Sequence, residues 1–467
     1  MSAPTTETSG LSKTGFAGAR RALVLLLFIN LFNYVDRQVL AAVVPSIERS
    51  FFGAANGAGR SVALQALQSW CRLRLGFKPE LALIGVLSMA FMVLYMVGAP
   101  VFGRLAERHS RWVLVGIGVA LWSLASGASG VATGFFVLLL TRCFVGVGEA
   151  AYGPVAPTIL SDLYPVERRG QVLAWFYMAI PVGSALGYVL GGAVAASSIG
   201  DFGARLLGIH AESWRWAFFL VAPPGLLLGF WAFFMNDPPR GQADGSGGAA
   251  PARIGWREYA VLLRTPSWVF CTLGMTAMTF AIGGIGFWMP YYLAHKPGAP
   301  ASSTVVFGGI TCVAGLVATL LGGLVGDRLR ARVPGSYFLV SGIAMLVGFP
   351  FMLLTLRASF PLIWVWIFVT CFCLFFNTGP TNTILANVSP PPIRAAGFAL
   401  NIFLIHAFGD VISPVVIGVV GDKYDMNRAF ILVGAMFLVA GVLWLFGVRH
   451  LQRDTALAPA RLTPGAR

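Results

Sequence analysis

Charged residues are scarce in this sequence. Only 11% of its 467 residues are Asp, Glu, Lys or Arg, against about 25% in soluble globular proteins. The composition therefore excludes a sizeable soluble domain. Acidic residues are the scarcer kind, with 18 against 33 basic residues. Because apolar runs of membrane-spanning length recur along the whole chain, we interpret the positive excess as loop topology and expect no nucleic-acid partner.

Common catalytic motifs and metal-ligand patterns are also absent. The sequence contains no H-E-x-x-H, no G-x-S-x-G and no P-loop, which are the motifs of zinc proteases, serine hydrolases and nucleotide-hydrolysing proteins. His406 and Asp410 are too close for an H-x-x-x-x-D acyltransferase motif. We expect neither an enzyme nor a cofactor or metal. The cysteines, which lack metal-ligand spacing and should be free thiols, are Cys71, Cys143, Cys271, Cys312, Cys371 and Cys373.

Hydrophobic sequence is abundant instead, at 57% of residues. We predict an all-α, polytopic membrane protein with twelve transmembrane helices. No cleavable signal peptide is expected, because the first apolar run is already a full span and lacks a cleavage site. The predicted spans are 20–47, 80–102, 112–133, 135–163, 169–197, 214–235, 266–294, 302–326, 335–356, 361–389, 394–421 and 427–449.

The loops indicate the orientation of the chain. An even number of spans places both termini on one side. With cytoplasmic termini, the loops and tails carry 20 Lys and Arg residues on the inner side and 11 on the outer side. This bias predicts that both termini are cytoplasmic, and we expect the protein in the cell inner membrane.

The chain divides into two related halves. The segment GRLAER at 103–108 is similar to GLVGDR at 323–328, 220 positions later. Two pseudo-symmetric six-helix bundles with a site at their interface are a transporter architecture. The predicted regions are a disordered tail at 1–19, a bundle at 20–235 with a long external loop at 48–79, a Gly- and Pro-rich cytoplasmic linker at 236–265, a bundle at 266–449 and a tail at 450–467.

The external loop contains a possible short helix. Residues 61–75 place most apolar side chains on one helical side, as in an amphipathic helix at the outer interface. Packing over the helix ends explains the pattern equally well, so we assign the segment no function.

Four charged residues lie inside predicted spans, where charges are costly and are retained mostly for function. Arg142 and Glu149 are seven residues apart in the fourth span, so they share a face about 10 Å apart. Asp36 and Arg37 lie in the first span. Helix rise places Glu149, Asp36, Arg37 and Arg142 about 21, 24, 26 and 32 Å from the cytoplasmic ends. If the two spans are neighbours, we expect Asp36 to pair with Arg142 and Arg37 with Glu149.

These charges suggest how a proton and a substrate are coupled. Burial favours the neutral form of a carboxylate, whereas a nearby guanidinium favours the charged form. An anionic substrate that captures the arginine would leave the carboxylate free to take a proton. We therefore predict Glu149 and Asp36 as proton carriers, and Arg37 and Arg142 as anion ligands, because guanidinium matches phosphate geometry. Static ion pairs that only fix helix register are the alternative.

Other polar residues in the spans are candidates with a plain structural alternative. His406 and Asp410 are four residues apart on one face of the eleventh span. They form either a second proton-coupling site or a structural hydrogen-bonded pair. The candidate neutral substrate ligands, whose alternative is helix-to-helix bonding or packing, are Tyr152, Asn377, Thr381 and Asn401.

Several motifs resemble a known family. GRLAERHSRW at 103–112 resembles the signature loop of the major facilitator superfamily, with Glu107 in place of its aspartate and Ser110 in place of its second glycine. The segments that look like the spinster branch of that superfamily are NYVDRQVLAAVVPSI at 33–47, GVGEAAYGPVAPTILSDLYP at 146–165, FYMAIPVGSALGYVLGG at 176–192 and HAFGDVISPVVIG at 406–418. The resemblance implies secondary transport by alternating access. Animal members export sphingosine 1-phosphate or lysophospholipids, and bacterial relatives are thought to be proton-coupled.

The resemblance also implies a cytoplasmic latch that holds the halves together in the outward-facing state. Glu107 is expected to face the amino end of the eleventh span, where the helix dipole favours a carboxylate. Asp162 is expected to pair with an arginine of the signature loop, and Asp327 with Arg328 to form a mirrored latch against the fifth span. The predicted latch residues are Gly103, Glu107, Arg108, Arg111, Asp162, Asp327 and Arg328.

The predicted function is proton-coupled transport of an amphipathic anionic lipid, of the lysophospholipid or sphingoid-phosphate type. The proton gradient would be the energy source, with no bound cofactor. We expect a monomer surrounded by membrane lipids. The alternatives are a proton-coupled transporter of small organic anions or drugs, a non-transporting sensor and a membrane-embedded enzyme.

Overall fold

The computed structural model describes residues 16, 18–53, 61–208, 210–240, 242–244 and 256–462. The predicted N-terminal tail up to residue 15 and the linker residues 245–255 lie outside this set. The twelve predicted spans are confirmed as helical stretches long and apolar enough to cross a membrane. They are Ala19–Phe52, Glu80–Arg108, Arg111–Gly130, Phe135–Leu163, Gln171–Ala195, Ser213–Ala232, Pro266–Ala294, Ser303–Arg330, Ser336–Arg357, Ile363–Val388, Ala396–Lys423 and Met426–Gly447.

Three spans are interrupted, and the fifth lies within a longer helix. In the fourth and eleventh spans a proline, Pro157 or Pro414, lies in the first turn after the break. Proline lacks the amide hydrogen needed to continue the preceding helix but fits a first turn. The fourth span consists of Phe135–Tyr152 and Ala156–Leu163, and the tenth of Ile363–Phe375 and Thr378–Val388. The eleventh consists of Arg394–Ile405, the π-helix His406–Asp410 and Ser413–Lys423. The fifth span lies within Val166–Ala195.

Shorter helices lie outside the spans. The helix expected at 61–75 is confirmed as Val62–Leu75, which begins where the Ser61 side chain accepts a hydrogen bond from the amide of Leu64. Trp256–Leu263, within the predicted linker, was not predicted as a helix. The remaining helices are Ile199–Leu207 and Leu451–Leu457, with 3₁₀ turns at Gln242–Asp244 and Pro391–Ile393.

The spans form two six-helix bundles that meet at one end. We call the end carrying both termini and the linker the terminal face, and the opposite end the distal face. Toward the distal face, the Tyr188 hydroxyl donates to the carbonyl of Gly286 at 2.5 Å, and Glu48 Oε2 lies 3.7 Å from His295 Nε2. Among the described residues, no hydrogen bond or ion pair joins the bundles at the terminal face. The described conformation therefore holds its halves together distally.

Candidate functional site

The first and fourth spans bring Arg37 and Glu149 together, as the sequence predicted. Arg37 donates from Nε to Glu149 Oε2 at 2.7 Å, and its Nη2 lies 2.5 Å from the same oxygen. The carboxylate side chain is 1% exposed, whereas that of Arg37 retains 18% exposure. The ion pair is thus buried on the acid side and accessible on the guanidinium side.

Aromatic rings surround the Arg37 guanidinium. Its central carbon lies 4.9 Å from the ring centroid of Tyr34, 5.0 Å from that of Phe91 and 5.2 Å from that of Tyr95. Each ring face attracts the cation, more strongly where water is excluded. We call Tyr34, Phe91 and Tyr95 the aromatic cage. The cage as a unit is not predicted from the sequence, although Phe91 and Tyr95 are four residues apart and therefore share a helix face.

Asp36 and Arg142 lie near enough for their charges to attract each other, but they do not form a direct ion pair. Asp36 Oδ1 instead accepts a hydrogen bond from the Ser126 hydroxyl, and Arg142 Nη2 donates to Ser129 Oγ at 2.9 Å. Successive helix residues point about 100° apart, so Asp36 faces the third span while Arg37 faces the second and fourth. The third span therefore supplies one hydroxyl to each charged group, a contribution that the sequence analysis did not foresee.

Several charged atoms in this region are left without a hydrogen-bond partner among the described residues. They include Asp36 Oδ2, Arg142 Nε and Glu149 Oε1, all buried. Buried polar atoms are nearly always bonded, and an exception calls for an explanation such as a proton or a bound ligand. The unpaired carboxylate oxygens are positions at which a proton can be held. Arg142 itself is only 2% exposed, so a ligand reaches it only after a rearrangement.

His406 and Asp410 form a second pair of polar side chains in contact, on the eleventh span. The distances from His406 Nδ1 to the two carboxylate oxygens are 2.9 and 3.0 Å. The pair is partly exposed and lies in the π-helix His406–Asp410. Such one-turn π segments occur frequently at functional sites. The geometry allows both a proton-coupling role, which stays a prediction, and a structural one.

The predicted neutral ligands are buried and bonded inside the protein. The Tyr152 hydroxyl donates to the Leu26 carbonyl, and Asn401 Nδ2 donates to Thr272 Oγ1. Asn377 and Thr381 donate to carbonyls of their own span. These contacts stabilise the two bundles, and a role for these four residues in binding stays a prediction.

At the terminal face, Arg111 is the centre of a network. Its Nη1 lies 2.5 Å from Asp162 Oδ2, so the expected pair between Asp162 and a signature-loop arginine is present. Its Nε and backbone amide both donate to the carboxylate of Asp237, at 2.9 and 2.8 Å, and its Nη2 donates to the Pro238 carbonyl at 2.7 Å. Asp237 and Pro238 belong to the predicted linker, which the sequence analysis did not connect to Arg111.

Most of the signature segment is helical, and only His109 and Ser110 connect the second and third spans. Gly103 and Arg108 lie in the last turns of Glu80–Arg108, and Ser110 has φ −60°, so its position does not require glycine. Arg240 of the linker donates to the carbonyls of Ala106, Glu107 and His109 and so caps this helix end.

The latch contacts expected between the halves are not formed in this conformation. The Glu107 carboxylate makes no hydrogen bond or ion pair with the described residues. Asp327 accepts from the Tyr337 hydroxyl at 2.7 Å, within its own half, and Arg328 is exposed. Neither contacts a described side chain of the fifth span through a polar bond. The halves are joined at the distal face here, whereas the predicted latch belongs to the opposite state.

Comparison with known proteins defines the class. Residues 26–409 match the Major Facilitator Superfamily. The fold is similar to that of the D-xylose–proton symporter, with a TM-score of 0.69 at 16% identity over 92% of this chain and 98% of that chain. With its twelve spans in two bundles, this chain belongs to the major facilitator superfamily of membrane transporters.

Within that superfamily the chain belongs to the spinster family. It is 34% identical over 445 residues to human Protein spinster homolog 1, covering 90% of this chain and 77% of that protein. It is 32% identical to the Sphingosine-1-phosphate transporter SPNS2 of Danio rerio, covering 87% of this chain and 76% of that protein. A bacterial homolog of spinster, solved in an inward-facing and unoccupied conformation, gives a TM-score of 0.76 at 19% identity over 96% of this chain and 99% of that chain.

Proposed function

We propose that this protein is a proton-coupled secondary transporter that moves an amphipathic anionic lipid by alternating access. The observation that carries the proposal is the Arg37–Glu149 pair inside the aromatic cage. A partly exposed guanidinium in an apolar bundle is suited to a phosphate head group. The relative from Danio rerio, whose name states sphingosine 1-phosphate as its cargo, supports the same chemical class. No cofactor takes part, and the proton gradient supplies the energy.

Competition for Arg37 couples the substrate to the proton. In the described state, two nitrogens of Arg37 contact Glu149 Oε2. A phosphate that accepts hydrogen bonds from the same nitrogens draws the guanidinium away from the carboxylate. A buried carboxylate without its cation is strongly disfavoured, so Glu149 takes up a proton. Substrate binding and protonation therefore favour each other.

The remaining charged residues have secondary roles in this proposal. Asp36 is a further proton carrier, because its Oδ2 is unpaired among the described residues. Arg142 is an anion ligand only in a state that exposes it, and His406 with Asp410 serves as a second proton-coupling pair.

The terminal face is cytoplasmic, in agreement with the excess of Lys and Arg in its loops.

A ligand panel tests the cargo. Thermal stabilisation of the purified protein is measured with lysophospholipids, sphingoid phosphates, their dephosphorylated counterparts, sugars and small organic acids. We expect stabilisation only by the phosphate-bearing lipids, and its loss in Arg37→Ala. The matched control is Arg428→Ala, because Arg428 is an exposed arginine whose ion pair, with Asp425, lies at the start of its own helix. Stabilisation by small organic acids and not by lysolipids would overturn the lipid assignment.

A further inference from the structure

The amino end of the second span has no cap of its own. Glu80–Arg108 begins after Pro79, which provides no side-chain hydrogen bond. The first amide groups of a helix need partners from elsewhere. Here the amide of Leu81 donates to Asp422 Oδ1 at 2.9 Å, and the amide of Ala82 donates to Asp422 Oδ2 at 2.8 Å. Asp422 lies in the other half of the protein, so one half caps a helix of the other.

The two spans approach closely where this cap forms. A Cβ added to Gly418 would lie 2.6 Å from the Leu81 carbonyl oxygen, so the backbones meet at a distance that only glycine permits. The contact of Glu48 Oε2 with His295 Nε2, at 3.7 Å, joins the halves at the same face. The two oxygens of the Asp422 carboxyl group thus each accept one amide hydrogen from the opposite half. Asp422 is therefore placed to hold the distal face closed.

The second and eleventh spans share a sequence feature at their carboxyl ends. Asp422 and Lys423 are the last two residues of Ser413–Lys423, as Glu107 and Arg108 are of Glu80–Arg108. The two spans are antiparallel, so the acid of each lies at the level of the other's amino end. Asp422 contacts that end in the described conformation, and Glu107 does not.

We propose that Asp422 is the distal latch of the transport cycle and the counterpart of Glu107. When Asp422 caps the second span, the distal face is closed. When the halves rock to the opposite state, that cap opens to water and Glu107 caps the eleventh span instead. The inference rests on the alternating access proposed above, and it adds a residue that controls which face is open.

Spin-label distances test this proposal without substrate or a proton gradient, so the result does not depend on the cargo. Nitroxides are attached at Val131 and Arg357, exposed positions at the distal ends of the two halves, in a cysteine-free background. In Asp422→Asn, we expect the ratio of distal-open to distal-closed molecules to rise about tenfold, which corresponds to about 1.4 kcal/mol. The matched control is Asp425→Asn, because Asp425 caps Arg428 within one half and should leave the distances unchanged.

A second variant, Asp422→Ala, removes both acceptor oxygens and adds no bulk beside the close backbone contact at Gly418. It should shift the same ratio in the same direction, and it provides the test if Asp422→Asn does not fold. An unchanged distance distribution in a folded Asp422→Asn or Asp422→Ala protein would overturn the proposal. An equal shift in Asp425→Asn would also overturn it. Distal opening with unaltered lipid stabilisation would support the latch and leave the cargo assignment separate.

Discussion

Arg37 contacts a single oxygen of Glu149 with two of its nitrogens, from Nε at 2.7 Å and from Nη2 at 2.5 Å. A parallel bidentate pair would use both carboxylate oxygens. Here Glu149 Oε1 has no hydrogen-bond partner among the described residues. The contact with Arg37 therefore leaves one buried oxygen of Glu149 unused, and the proposed coupling role would place a proton there.

The hydroxyl of Ser126 should stabilise the protein through Asp36. Ser126→Ala removes the donor to Asp36 Oδ1, and an unsatisfied buried acceptor of this kind destabilises by about 1–3 kcal/mol. We expect a lower melting temperature in detergent. Ser123→Ala is the matched control on the same helix, because Ser123 Oγ is buried without a hydrogen-bond partner in the described part of the chain. Equal melting temperatures of the two variants would contradict the role of Ser126.

Arg111 should anchor the linker through the shape of its guanidinium. Arg111→Lys keeps the charge but cannot reproduce the separate bonds to Asp162, Asp237 and the Pro238 carbonyl. We expect faster proteolysis of the linker and reduced stability. The control is Arg104→Lys, because Arg104 is exposed near the end of the preceding helix, Glu80–Arg108. This variant should behave like the wild type. Unchanged linker proteolysis in Arg111→Lys would show that the network does not hold the linker.

Removing the terminal latch should shift the conformational equilibrium and slow transport while the fold is preserved. Glu107→Ala and Asp327→Ala each delete a carboxylate that is predicted to join the halves in the outward-facing state. We expect fewer molecules with a closed terminal face. Spin labels at Arg168 and Arg332, exposed residues of the two halves at that face, report the distance. Distributions identical to the wild type in both variants would refute the latch.

The sequence predicted the fold well because its signals are long and repeated. Twelve apolar runs of full span length leave few alternatives, and the repeat of Gly103–Arg108 at 323–328 fixes two related halves. The Arg37–Glu149 pair was also predictable, because each residue is a rare charge in an apolar span. The apolar runs, the repeat and the rare charges within spans are thus sufficient to predict the architecture and one contact of the site.

Contacts that depend on the rotation of a helix were not predictable. Opposite charge and neighbouring spans suggest a pair of Asp36 with Arg142, but the Asp36 side chain points toward the third span, where nothing in the sequence distinguishes Ser126. The cap of Leu81 and Ala82 by Asp422 joins positions about 340 residues apart, and only the packing of the halves reveals it. The contacts of Arg111 with Asp237 and Pro238 likewise depend on where the fold places the linker.

The most direct test of the account is lipid uptake by proteoliposomes that contain Glu149→Gln. Glutamine mimics the protonated acid but cannot cycle. We therefore expect this variant to bind the lipid and to exchange it between the two sides, without accumulating it under an imposed proton gradient. The wild type should accumulate it under the same gradient. Gradient-driven accumulation by Glu149→Gln at the wild-type rate would contradict the coupling role of the Arg37–Glu149 pair.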